Sequence, residues 1–88
     1  MELQGKIIAV MPVRSGKTSK GEWKSQQYVL ETEEKYPKRL LFELFGENKI
    51  REFAIQEGEV VTVSFDPDAR ERDGHWFGSN RAWDVKRD

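Results

Sequence analysis

With 88 residues, no cysteine and a single histidine, the chain has room for one small core. It lacks the side chains for a disulfide framework, a thiolate metal site or a histidine cluster. Fifteen Lys and Arg against sixteen Asp and Glu leave a net charge of −1, so the total alone points to no polyanionic partner. No apolar run approaches the roughly 20 residues of a membrane span, and the opening MELQGKIIAV lacks the basic start and cleavage site of a secretory signal. No membrane association and a cytoplasmic location are therefore expected.

The first element, LQGKIIAVMPV, places Leu3, Ile7, Ala9, Met11 and Val13 in one phase, while Ile8 and Val10 interrupt the alternation. That is the pattern of a strand covered on both faces for part of its length as it bends around a barrel corner near Gly5. Residues 14–24, RSGKTSKGEWK, contain Gly-Lys-Thr, the end of a phosphate-cradling loop. The loop motif needs a glycine where Met11 stands and a helix after it, and neither is present. The stretch reads instead as a flexible, solvated connection between strands. A second strand covers 22–32, with Tyr28, Val29 and Leu30 as its apolar end.

In the third strand, RLLFELFG, Leu40, Phe42 and Leu44 form the core face, and Arg39, Leu41, Glu43 and Phe45 take the other phase. The only helix is expected at residues 47–54, capped by Asn48, with Ile50 and Phe53 on one side. GEVVTVSFDP reads as a fourth strand with Val61, Val63 and Phe65 inward, ended by Pro67. GHWFGSNRAWDV reads as a fifth after the turn signal Arg72-Asp73-Gly74. Three strands, a short helix and a closing hairpin is the order of an all-β, five-stranded Greek-key barrel of the OB type, spanning 1–88 as one domain. A five-stranded barrel of the SH3 kind has a similar length, but a helix between the third and fourth strands favours the OB arrangement.

Charge is unevenly spread along this plan. Residues 14–39 hold seven bases and four acids, a net of +3, whereas 43–68 hold two bases and seven acids, a net of −5. Enzyme chemistry has no constellation to carry it: Glu33 and Glu34, or Asp66 and Asp68, sit in stretches where carboxylates are simply solvated. An Asp-x-Asp calcium loop would need further oxygen ligands where Arg70 and Arg72 stand. No catalytic residue, metal or cofactor is expected.

The run FELFGENKIREFAIQEGEVVTVSF, followed by the basic hairpin around Asp73-Gly74, resembles the middle and end of bacterial single-stranded DNA-binding proteins. From MELQGKI through WKSQQYVLET and YPKRLLFELFG to RAWDV, the whole chain is similar to a bacterial family of OB domains of unknown function. The glycine-rich tail with which single-stranded DNA-binding proteins recruit replication enzymes is missing from the sequence, so recruitment of that kind is not expected. The resemblance implies a ligand surface across the second and third strands and the loops between strands one and two and between four and five. Phe45 falls at a stacking position before the Gly46 turn. Arg39 replaces a further aromatic, and Glu43 brings a negative charge onto the face.

The expected ligand is single-stranded DNA or RNA. Sequence-neutral binding takes cations that track phosphates and flat rings on which bases stack. The candidates are Lys17, Lys20, Trp23, Lys24, Lys38, Arg39, Phe45, Arg70, Arg72 and Trp76. Trp23 either projects outward beside Lys24 or covers one end of the barrel, and Phe45 lies on the ligand face or in the core. Trp76 and Trp83 sit in opposite phases of the last strand, so without a bulge one of them faces inward; Trp83, with Val85, is expected to be structural. Unpaired strand edges, the first strand's KIIAVM above all, point to a homodimer or larger oligomer. The alternative function is an OB module for protein–protein contact without a nucleic-acid ligand.

Overall fold

The computed structural model describes residues 1–87. Its elements in chain order are β1 (Glu2–Val10), β2 (Arg14–Thr18), β3 (Gly21–Glu31), β4 (Arg39–Phe45), α1 (Glu47–Phe53), β5 (Val60–Arg72) and β6 (His75–Arg87). They form one six-stranded sheet in the order β1-β5-β6-β4-β3-β2, and β1 also pairs with β3. Five strands therefore close a ring, and β2 hangs outside it on β3. All pairings are antiparallel except the short parallel meeting of β4 and β6 at Glu43 and Arg81. This is the OB arrangement that the strand order predicts, with a sixth strand added.

Ring closure rests on β1, whose first half (2–6) pairs with β5 and whose second half (6–10) pairs with β3. The strand changes partner at Gly5 and Lys6, and a register shift between Ile7 and Ala9 helps it turn. Gly5 is where the backbones crowd: a Cβ there would lie 2.4 Å from the Glu31 carbonyl oxygen and 2.7 Å from Leu30 Cδ2. The corner read from the broken alternation is this crossing, although β1 stops at Val10 and Val13 lies exposed outside it.

Alternation then sorts the side chains. Ile7, Tyr28, Leu30, Phe42, Leu44, Val61 and Val63 are all under 2 % exposed and fill the ring. Ile50 and Phe53 of α1 pack against them from one end. Asn48 does not cap α1: the N-cap is Gly46, without a side-chain cap bond, and the Gly46 N–H donates to Lys24 O at 2.8 Å, so β3 holds the helix entrance. The helix exit is held by Arg87, which donates to the Phe53 and Ala54 carbonyls and pairs with Glu59 at 2.7 Å. The Arg87 hydrogen bond, with one from the Gln56 N–H, keeps the Glu59 carboxyl below its ordinary range.

Three further expectations change. Residues 14–24 are not a loose connection, because β2 and β3 pair in register from Arg14–Ser25 to Thr18–Gly21. Pro67 does not end β5. Beyond Phe65 the strand has only β6 beside it, so a residue without an N–H sits on a free edge and pairing continues to Arg72. Trp83 is 53 % exposed rather than structural. Ser64 pairs with Asp84 but Phe65 with Ala82, which leaves Trp83 as the extra residue of a bulge. Ala82 and Val85 are thereby both turned inward, at 1 % and 6 % exposure.

Gly5→Ala should destabilise the fold by about 1 to 3 kcal/mol or more in chemical denaturation, since its methyl meets backbone that cannot step aside. A second outcome concerns Tyr28, whose hydroxyl donates to Gln26 Oε1 at 2.7 Å while the Gln26 amide donates to Met11 O at 2.8 Å. Burial pushes its phenol up from 10.0 to about 12. The unfolded chain releases that proton near pH 10 and the folded chain near 12, so this contribution is whole below 10 and lost between the two. Over that window the denaturation midpoint of Tyr28→Phe should fall less than that of the unaltered protein.

Candidate nucleic-acid interface

The same alternation that buries Tyr28, Phe42 and Leu44 turns Gln27 and Val29 of β3, with Leu41, Glu43 and Phe45 of β4, to the outside of the ring. Trp23 stands at the end of this face. It lies flat over Gly16, its partner on β2, where a Cβ would come within 2.6 Å of the indole. Its other neighbour is Phe45, with ring centroids 6.1 Å apart and planes inclined by 17°. Phe45 is 43 % exposed, and the Arg81 guanidinium carbon sits 4.9 Å from its ring centre.

Together these groups make an aromatic ledge beside a groove of about 220 Å³ bounded by Trp23, Lys24, Phe45 and Glu47. Lys24 Nζ lies 3.7 Å from Glu47, and Arg81 Nε lies 3.9 Å from Glu43. The carboxylate that the sequence places on this face is thus matched by a guanidinium from the facing strand. Exposed ion pairs of this kind are worth about 0 to 1 kcal/mol, so both cations can exchange a carboxylate for another anion at little cost.

The structure gathers Trp23, Lys24 and Phe45 and spreads the other candidates. Lys17 and Lys20 are exposed on the β2–β3 hairpin. Lys38 and Arg39 lie at the far end of β4, and Arg39 donates to Glu31 at 3.0 Å. Arg39 and Phe45 are six positions apart, about 20 Å along a strand. Arg70 is on β5, 4.0 Å from Asp68, while Arg72 and Trp76 flank the Asp73-Gly74 turn, where φ is +52° and +81°. Trp76 is 69 % exposed. Arg81, Phe77 and the outward-facing Trp83 are absent from the sequence-derived set. Their signal is a shared phase, 77, 79, 81 and 83, which becomes legible only once Trp83 is known to face outward.

Over residues 2–86 the sequence matches the family described as a domain of unknown function, DUF3127. The chain belongs to this family. No curated protein matches the sequence. Among solved structures, this DUF3127 domain is similar to Rim1, the mitochondrial single-stranded DNA-binding protein of S. cerevisiae. The TM-score is 0.74 at 15 % identity, over 99 % of this chain and 91 % of that one. It is also similar to a small single-stranded DNA-binding protein from Streptomyces coelicolor, with a TM-score of 0.53 at 10 % identity, over 100 % of this chain and 92 % of that one. At such identities the likeness is one of fold.

Within the DUF3127 domain the ledge depends on the space left at Gly16. Gly16→Ala should push the indole off Phe45 and change tryptophan emission, while costing less stability than Gly5→Ala. The methyl at 16 meets a movable side chain and the one at 5 meets a carbonyl. Equal losses for the two variants in denaturant would contradict this account.

Proposed function

We propose that the domain binds single-stranded nucleic acid, with bases stacking on Trp23 and Phe45 and with Lys17, Lys20, Lys24 and Arg81 meeting phosphates. The observation that carries this reading is the Trp23–Phe45–Arg81 row: two rings lie side by side on the outward sheet face, with a guanidinium over Phe45 and Lys24 lining the same groove, paired with Glu47. Flat rings hold bases of any identity, each contributing about 1 to 3 kcal/mol, and flanking cations hold the backbone. The fold shared with two proteins named as single-stranded DNA-binding supports it. Self-association belongs to the same reading, because residues 8–10 of β1 are paired on the β3 side only.

Single-stranded oligonucleotides should quench tryptophan emission at low salt and bind more tightly than duplex DNA. Trp23→Ala should lower affinity by roughly 5- to 150-fold, the equivalent of one stacking ring, without unfolding the ring of strands. Replacing one phosphate-contacting lysine by alanine should reduce the logarithmic salt slope by about 0.7. Absence of both quenching and a mobility shift with every single strand would discard nucleic acid and leave protein contact as the function.

A further inference from the structure

Beyond the ring, β5 and β6 continue as a two-stranded arm whose register sorts side chains onto two faces. On one face Phe77 stands opposite Arg70, Ser79 opposite Asp68 and Arg81 opposite Asp66. With Trp83 and Glu43 these residues surround an open groove of about 470 Å³. Arg81 lines this groove and also covers Phe45, so the groove continues the ledge.

Its lining mixes carboxylates and guanidinium groups around two rings. Three acids, Glu43, Asp66 and Asp68, face two bases, Arg70 and Arg81, a net of −1 that does not suit a track for phosphates alone. Asp66 stands opposite Arg81, yet the guanidinium leans toward Phe45 and Glu43, and Asp66 makes no ion pair among the described residues. A carboxylate only accepts hydrogen bonds. Set among a tryptophan, a phenylalanine and two guanidinium groups, it complements a flat ring that carries an N–H₂ donor next to acceptors. Cytosine, adenine and guanine each have such an amino group. Thymine and uracil present carbonyl oxygens in its place, and their one ring N–H on that edge is flanked on both sides by carbonyl oxygens that repel a carboxylate.

We propose that this groove is a second nucleobase subsite, in which Asp66 accepts from the exocyclic amino group of a base stacked on Trp83 or Phe77. The subsite selects cytosine, adenine or guanine over thymine or uracil. It rests on the single-strand reading above and adds base preference to it. The ledge stacks any base; the arm reads its edge.

The test compares oligo(dC) with oligo(dT) of equal length, at fixed salt and near neutral pH, where cytosine is uncharged. The unaltered protein should bind oligo(dC) about tenfold or more tighter, the size of one charge-assisted hydrogen bond. Asp66→Ala, at an exposed position, should bring that ratio toward one without weakening oligo(dT). Trp23→Ala should weaken both strands in equal proportion and keep the ratio. Equal binding of the two strands by the unaltered protein overturns the subsite. So does an Asp66→Ala variant that binds both strands more tightly with the ratio unchanged, which would make the carboxylate a simple repeller of phosphates. If neither strand binds, the single-strand reading fails and the subsite fails with it, whereas binding without preference removes the subsite alone.

Discussion

The crossing of β1 over the end of β3 at Gly5 is the constraint on which the rest of the structure depends. A strand that pairs with β5 in its first half and β3 in its second closes into a ring what would otherwise be an open sheet joined where β4 meets β6. The closure requires a backbone approach that a single methyl group would obstruct. Once it is made, the alternation of β3, β4 and β5 has an inside, and seven side chains are almost completely removed from water. The outward phase is set by the same closure. Phe45 and Arg81 face outward because their neighbours in sequence, Leu44 and Ala82, are in the core.

The outer surface is held together by modest forces. Trp23 is positioned by an empty space at Gly16 and by a ring contact with Phe45, and Arg81 is shared between that ring and Glu43. No buried charge is involved. Groups tied this loosely can change partners when an anion arrives. Both grooves set aromatic rings among charges of both signs: Glu22, Lys24 and Glu47 beside Trp23 and Phe45, and Glu43, Asp66, Asp68, Arg70 and Arg81 beside Phe77 and Trp83.

Much of the fold is legible in the residues because β-alternation and turn chemistry are local. The core faces Phe42–Leu44 and Val61–Val63–Phe65, the helix after Gly46 and the Asp73-Gly74 turn follow from spacing alone. Pro67 reads as a stop only from its immediate neighbours. A missing N–H ends a strand only if a neighbour needed it, and the free edge beyond Phe65 needs none. Residues 14–24 depart from expectation for the opposite reason: they are polar and glycine-rich, which describes a loop until β3 supplies the ladder that β2 completes.

The sequence by itself determined an all-β chain with one short helix and most of its core positions. These depend on period and turn residues, which act over a few neighbours. Only the tertiary structure decided which way Trp83 faces and that Arg81 answers Glu43. Both turn on a single extra residue in the β5–β6 ladder and on the parallel meeting of β4 and β6. A bulge inverts every side chain beyond it, and its position is chosen by the partner strand rather than by the strand that carries it.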